Sequence, residues 1–310
     1  AVLGGLRFRH VSVGYDHTCG VTTDNRAYCW GLNMWGQVGD GTKGENNWRL
    51  RPVAVAGGHR FRQVRAGWSH TCAVTLDDVA YCWGYNGNGQ VGDGAVEPAG
   101  RATPVRVLGA LVWSELTGGG EHTCGLTQAG RIYCWGLNDR GQLGIGNTSP
   151  RLKPVPVSGG QQFRQVDVGG FHSCAITLTG LAYCWGFNRW GGIGDGTTAD
   201  RLTPGAVAGV RKFDHVDAGG YHTCGVTLAQ RTFCWGFNET GQLGDGTASN
   251  RLTPVQIGIG LGLRQVRAGL VHTCGVTTDN RAYCWGAGGG RLGDGETATR
   301  LVPVPVAPPM

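Results

Sequence analysis

Apolar and polar residues alternate along most of the chain in short runs that stop at Gly, Pro, Asn or Asp. Alternation at period two is the mark of a strand whose side chains point to opposite faces of a sheet. Four such runs recur in a fixed order. One is Pro-Val-x-Val, as at Pro52–Val55, and the next is Phe-Arg-x-Val, as at Phe61–Val64. The third is His-Thr-Cys-Gly-Val-Thr, as at His17–Thr22, and the fourth is Arg-Ala-Tyr-Cys-Trp-Gly, as at Arg26–Gly31. All are rich in β-branched or aromatic residues, and none has the length or period of a helix.

The third and fourth runs return together as His70–Gly84, His122–Gly136, His172–Gly186, His222–Gly236 and His272–Gly286. Between copies lies a second constant block. Gly39-Asp40-Gly41-Thr42 precedes Arg49-Leu50-Arg51-Pro52-Val53, and Arg201-Leu202-Thr203-Pro204 and Arg251-Leu252-Thr253-Pro254 repeat it. Six copies of a unit of about fifty residues, each holding four strands, predict an all-β chain. The expected fold is one six-bladed β-propeller of four-stranded antiparallel blades over residues 1–310. The tail Arg300–Val306 matches the Pro-Val run, and Ala1–Gly5 aligns with Ala54–Gly58. Residues 300–306 are therefore expected to complete the first blade, pairing the N- and C-terminal strands so that no sheet edge is left open. The alternative is donation of that tail to a neighbouring molecule, which builds a polymer.

The unit Gly-x-x-His-Thr-Cys…Tyr-Cys-Trp-Gly-x-Asn-x-x-Gly-Gln-Leu-Gly-Asp-Gly-Thr resembles the regulator of chromosome condensation repeat along essentially the whole chain. Two features depart from that family. Its familiar members have seven blades, and paired cysteines are not part of its usual pattern. The resemblance implies a propeller that binds other molecules through its loops, as a secreted inhibitor member does with loop aromatics. A photoreceptor member clusters tryptophans in Gly-Trp-Arg-His-Thr loops, but only Trp68 stands at that position in this chain.

The twelve cysteines fall into six pairs of identical spacing: Cys19/Cys29, Cys72/Cys82, Cys124/Cys134, Cys174/Cys184, Cys224/Cys234 and Cys274/Cys284. Each pair flanks a turn such as Thr23-Asp24-Asn25, so folding the hairpin sets its two cysteines opposite each other, within disulfide reach. Six intrablade disulfides place the protein in an oxidising compartment, secreted or at the cell surface, or in a hyperthermophile cytosol. The rival is a metal held by His17, Cys19 and Cys29 and their equivalents, although no Cys-x-x-Cys knuckle accompanies them.

Composition narrows the function. The net charge of +6 is dispersed, only 15% of residues are charged and 40% are apolar. That argues for a globular chain with a sizeable core and against nucleic acid as a partner. No apolar stretch has membrane-spanning length. The mixed segment at Ala1 is not a signal peptide, so an exported protein would be represented by its mature form or a fragment. No phosphate loop, paired-carboxylate motif or nucleophile triad is legible, so neither an enzyme nor a cofactor is expected.

Residues present in every copy are expected to be scaffold. The six histidines His17, His70, His122, His172, His222 and His272 read as hydrogen-bonded anchors. Trp30, Trp83, Trp135, Trp185, Trp235 and Trp285 read as packing between blades, and Arg49, Arg101, Arg151, Arg201, Arg251 and Arg300 as partners of the loop aspartates Asp40, Asp93, Asp195, Asp245 and Asp294. Ile145 replaces the aspartate in the third unit. Residues that differ between copies are the candidates for recognition. The loops before the His strand and after the Trp-Gly strand lie at the same end of each hairpin, and they carry Tyr15, Asp16, Trp35, Trp68, Glu121, Arg140, Phe171, Arg189, Trp190 and Tyr221. Aromatics with a few charges are the composition of protein-binding anchors, and Trp and Tyr also stack on sugars. The expected function is an extracellular binding scaffold for a protein or glycan. A structural protein that self-associates and an unrecognised enzyme are the alternatives. Asn147-Thr148-Ser149 and Asn238-Glu239-Thr240 fit glycan acceptor sequons.

Overall fold

The computed structural model describes residues 2, 5–209 and 211–307, which form twenty-four strands and no helix. The first sheet comprises β1 (Phe8–Val13), β2 (His17–Thr22), β3 (Ala27–Leu32) and β4 (Trp48–Ala54), hydrogen-bonded in that order and antiparallel throughout. The second comprises β5 (Phe61–Ala66), β6 (His70–Thr75), β7 (Ala80–Asn86) and β8 (Glu97–Arg106), and the third β9 (Trp113–Gly118), β10 (His122–Thr127), β11 (Ile132–Gly136) and β12 (Arg151–Pro156). The fourth holds β13 (Phe163–Val168), β14 (His172–Thr177), β15 (Ala182–Gly186) and β16 (Arg201–Ala206). The fifth holds β17 (Phe213–Ala218), β18 (His222–Thr227), β19 (Thr232–Gly236) and β20 (Arg251–Ile257), and the sixth β21 (Leu263–Ala268), β22 (His272–Thr277), β23 (Ala282–Gly286) and β24 (Arg300–Pro305). The fold class is the expected all-β, six-bladed β-propeller of four-stranded antiparallel blades. The chain packs as two compact units, one holding the first three blades (Ala1–Asp139 and Asn147–Gly160) and one the last three with the loop Arg140–Gly146.

The blades are cut one strand later than the sequence suggested. The Pro-Val run closes the blade of the preceding Cys-Trp strand: Cys29 faces Val53 and Gly31 faces Arg49. Residues 300–305 therefore do not complete the first blade. They pair with β23, with Cys284 facing Val304. The alignment of Ala1, Leu3 and Gly4 with the end of a Pro-Val strand lies outside the described residues. The loop between the third and fourth strands enforces this return. Buried Asn33 receives the Val38 amide on its Oδ1 at 3.0 Å and donates from Nδ2 to Asp40 Oδ1 at 3.2 Å and Thr42 O at 3.0 Å. Arg49 Nε then reaches Asp40 Oδ2 at 2.6 Å, which draws the outgoing strand back beside β3. The same ion pair recurs as Arg101–Asp93, Arg201–Asp195, Arg251–Asp245 and Arg300–Asp294. In the third blade, where Ile145 replaces the aspartate, Arg151 Nη1 turns to the carbonyls of Ser149 and Pro150.

All six cysteine pairs are disulfides: Cys19–Cys29, Cys72–Cys82, Cys124–Cys134, Cys174–Cys184, Cys224–Cys234 and Cys274–Cys284. Each joins directly opposed residues with Cα atoms 4.1 Å apart. Sulfurs bonded to one another offer no thiolate, which displaces the rival reading of a metal on these cysteines. Spacing alone marked the pairs as cross-links, and the structure makes them core as well. Cys82, Cys134 and Cys234 are fully buried, as are their partners Cys72, Cys124 and Cys224, so these bridges present no surface to a ligand. Cys82 shares one apolar cluster with Trp135 of the third blade, and Cys234 shares another with Trp285 of the sixth. The hairpin turns between the cysteines use Asn25, Asp78, Gly130, Gly180, Gln230 and Asn280 at positive φ, the left-handed position that a three-residue hairpin loop requires.

The core lies at the junctions between successive blades. One face of the first blade (Cys19, Val21, Ala27, Cys29, Val38) packs on Phe61, Val64, Ala73 and Trp83 of the second, and the pattern recurs from blade two to three, four to five and five to six. Hydrogen bonds finish each junction. Gln37 O accepts both Thr71 Oγ1 at 2.8 Å and Trp83 Nε1 at 2.9 Å, and Gln90 O does the same for Thr123 and Trp135. In the second unit Gln142 O takes Ser173 and Trp185, Gly192 O takes Thr223 and Trp235, and Gln242 O takes Thr273 and Trp285. Gly194 shows why this loop needs glycine: at φ +77° an added Cβ would lie 2.5 Å from Trp235 Nε1.

His17, His70, His172 and His222 are hydrogen-bonded anchors, as their recurrence implied. His17 Nε2 meets Thr71 Oγ1 at 2.7 Å and His70 Nε2 meets Thr123 Oγ1 at 2.9 Å; His172–Thr223 and His222–Thr273 match them at 2.8 Å. Because each threonine hydroxyl donates to a carbonyl, its oxygen accepts from the imidazole, which fixes the Nε2–H tautomer. Burial pulls the pKa of His70 and His172 down to about 4 and those of His17 and His222 to about 3. Asn238, the first residue of one sequon, is fully buried with its amide donating to Asp245, Thr247 and Ser249, which removes it as a glycan acceptor; Asn147 is exposed.

Candidate binding surface

The two variable loops of each blade are held together by one backbone hydrogen bond. The amide after the Trp-Gly pair donates to the residue before the histidine: Tyr85 N to Ser69 O at 2.8 Å, Phe187 N to Phe171 O at 3.0 Å, Phe237 N to Tyr221 O at 3.1 Å. Gly84 permits that approach, since at φ +96° an added Cβ would lie 2.6 Å from Ser69 O. A second bond links the inner loops of neighbouring blades: Trp68 N donates to Gly119 O in the first unit, Gly170 N to Gly219 O and Gly220 N to Gly269 O in the second. Side chains on these loops are therefore brought into contact both within a blade and between blades.

In the first unit the candidates form separate small groups. Tyr15 and Trp68 meet with ring centroids 5.9 Å apart, while Trp35 packs at 5.1 Å against Tyr85. Glu121 Oε2 accepts from Asn88 Nδ2 at 2.7 Å, and burial followed by repulsion from Asp139 holds its carboxyl above the usual range. Burial likewise raises Asp16.

In the second unit the candidates converge. Phe171 and Tyr221 stack at 5.5 Å with planes 14° apart. Trp190 meets Tyr221 edge to face at 4.7 Å, and Phe187 and Phe237 at 5.2 and 5.0 Å. Two guanidiniums flank the five rings, Arg140 at 5.8 Å over Phe187 and Arg189 at 6.0 Å over Trp190. Arg140 also lies 3.8 Å from Asp200, and Arg189 is exposed. Every ring is half-buried, and burial raises the Tyr221 hydroxyl pKa. Sequence reasoning missed Tyr85, Phe187 and Phe237. Their signal was present: the residue after Trp-Gly varies between copies as Leu32, Tyr85, Leu137, Phe187, Phe237 and Ala287. The chemistry of the patch is apolar burial combined with cationic, planar hydrogen-bond donors.

Blades of this kind with variable loops define a repeat-built propeller. Residues 2–224 match the RCC1-like domain, and residues 231–276 match the regulator of chromosome condensation (RCC1) repeat. The chain belongs to the RCC1-like domain family. It is 37% identical over 145 residues to the ultraviolet-B receptor UVR8 of Arabidopsis thaliana, a match covering 46% of this chain and 32% of that protein. Among solved structures, human WBSCR16 superposes with a TM-score of 0.89 at 22% identity, covering 99% of this chain and 83% of that one. Yeast RCC1 (Prp20), solved bound to Kap60, gives 0.84 at 21% identity, covering 96% and 74%. The curated relative is thus matched over about a third of its length.

Proposed function

We propose that this protein is an extracellular interaction scaffold that recognises a partner protein through its loop aromatics and performs no chemistry on it. The observation that carries this reading is the group of five rings and two guanidiniums in the second unit, built at positions that differ between repeats whose surroundings do not. Trp, Tyr and Arg gathered in one partly buried patch are the composition of interface hot spots. A glycan is the poorer fit, because the half-buried Trp190 indole already meets Tyr221 and Phe187 edge to face rather than lying as a bare platform. Six disulfides favour an oxidising compartment. Protein partners are in keeping with the fold, since the yeast propeller Prp20p was solved together with its binding properties to Gsp1p and histones.

The test is cross-linked capture from the native extracellular milieu with the wild type, Trp190→Ala, Tyr221→Ala, and the first-unit variants Trp35→Ala and Trp68→Ala. Loss of one specific partner with Trp190→Ala and Tyr221→Ala, at unchanged thermal midpoint, is the expected result. Equal capture by all four variants overturns the assignment.

A further inference from the structure

In the second unit the fold sorts charge between the two ends of the blades. At the loop end, Arg201, Arg251 and Arg300 hold Asp195, Asp245 and Asp294 at 2.6 to 2.7 Å, and Arg140 lies 3.8 Å from Asp200. The other end carries the hairpin turns and the chain entering each inner strand, because Phe163, Phe213 and Leu263 pair with Thr177, Thr227 and Thr277. There Arg164, Arg211, Lys212, Arg231, Arg264 and Arg281 are joined by only two acids, Asp214 and Asp279. Among the described residues, Arg281 alone of these cations meets a carboxylate, Asp279 at 3.1 Å. Arg164, Arg211 and Arg264 donate to the neutral oxygens Phe213 O, Ala208 O and Asn280 Oδ1, while Lys212 and Arg231 stand exposed. Charge that is dispersed along the sequence is thus gathered at one end of these blades.

The same end exposes aliphatic side chains. Leu178 and Leu228, each the first residue of a hairpin turn, are 61% and 62% exposed, and Ile259 is 84% exposed. The Leu228 amide donates to Lys212 O at 3.0 Å, which brings the backbone of the leucine to that of the lysine. Ile259 stands at the tip of a tight turn closed by Leu261 N, which donates to Gly258 O at 2.9 Å. It shares an open groove with Arg231 and Gln256. The corresponding residue is glycine in the connections at Gly57, Gly109, Gly159 and Gly209, so the protruding isoleucine is peculiar to this one.

We infer that the turn end of the second unit is a docking surface for an anionic lipid bilayer. Exposed aliphatic side chains gain by entering the boundary between headgroups and acyl chains, and cations around them gain from the lipid phosphates. A soluble polyanion would satisfy the cations but offers no apolar phase to bury Leu228 and Ile259, so the two features act together only at a lipid surface. This surface lies at the opposite end of the blades from Phe171, Trp190 and Tyr221, and it neither uses nor requires the protein partner proposed for those rings.

The test is flotation of the oxidised protein with vesicles of phosphatidylcholine, with and without phosphatidylglycerol, at low and high salt. Lys212→Glu with Arg231→Glu reverses charge at the turn end, and Leu228→Ser with Ile259→Ser removes the aliphatic chains. Arg51→Glu with Lys153→Glu, on exposed outer-strand positions of the first unit, makes the same change of total charge elsewhere. The wild type and the outer-strand variant should bind only the anionic vesicles, and more weakly as salt rises. The turn-end charge variant should bind at least about 20-fold more weakly, from about fivefold for each basic residue near an anionic surface. The serine variant should bind at least about tenfold more weakly through lost apolar burial. Four results overturn the inference: no binding of the wild type, binding that ignores phosphatidylglycerol, an equal loss from the outer-strand variant, or a serine variant that binds like the wild type. The last would leave a soluble polyanion as the ligand. All substituted residues are exposed, and unchanged near-ultraviolet dichroism reports that each variant is folded.

Discussion

Lowering the pH should weaken the junctions through their buried histidines, and His70 gives a clean measurement. Its ring is fully buried, donates to Thr123 Oγ1 and has a pKa of about 4 against 6.5 for a free histidine. In the window between those values the unfolded chain binds a proton that the native ring refuses. Stability is therefore lost as pH falls from about 6.5 towards about 4. At pH 5 the loss from this one residue is about 2 kcal/mol, since each pKa unit is worth about 1.4 kcal/mol. His70→Gln keeps an N–H donor but cannot titrate. It should be less stable than the wild type at pH 7, yet lose about 2 kcal/mol less between pH 7 and pH 5 in urea unfolding followed by tryptophan fluorescence. His17 feels the His70 charge and is relieved slightly in the variant, whereas the histidines of the second unit contribute equally to both proteins and cancel. Parallel pH profiles for variant and wild type would refute the neutral, buried assignment.

Replacing Cys174 and Cys184 together by serine should cost about 3 kcal/mol in chemical unfolding and leave the protein folded, whereas reducing all six bridges removes more than a whole domain's usual stability and should unfold it. Asp195→Ala removes the partner of Arg201 and the acceptor for the Thr197 amide, so a loss of about 1–2 kcal/mol is expected at pH 7. Bonds from Thr197 and Arg201 outweigh burial and lower the Asp195 pKa, so this contribution is present at neutral pH and should disappear as the carboxylate protonates in acid. Gly194→Ala drives a methyl into the Trp235 indole at positive φ and should cost about 1–3 kcal/mol, read as a lower thermal midpoint.

Strand positions, blade number and disulfide partners were legible because six copies of one pattern reinforce each other, and because opposed cysteines on a hairpin leave one geometry. That Cys82, Cys134 and Cys234 would be wholly buried was not legible, since spacing fixes which cysteine faces which but not what packs over the bridge. The neighbour of the Pro-Val run was not legible either. Alternation shows that Val53 is in a strand but not which strand it faces, and the choice is made by the Asn33–Asp40–Arg49 network inside a loop. The candidate surface was legible in part. Phe171, Trp190 and Tyr221 stood out by varying against a constant background, and the structure brings them together. Phe187 and Phe237 escaped notice because their place beside those rings depends on a backbone bond between loops. Trp35 and Trp68, candidates from the two different loop sets, go to different partners, Tyr85 and Tyr15.

The sulphur bridges across the hairpins underlie both the stability of the blades and the proposal of an oxidising compartment. Intact mass after denaturation and alkylation, with and without prior reduction, tests them directly. All twelve cysteines should resist alkylation until reductant is added and then take up twelve labels. Labelling of native material before reduction, or release of a metal when the thiols react, would contradict the bridged blades.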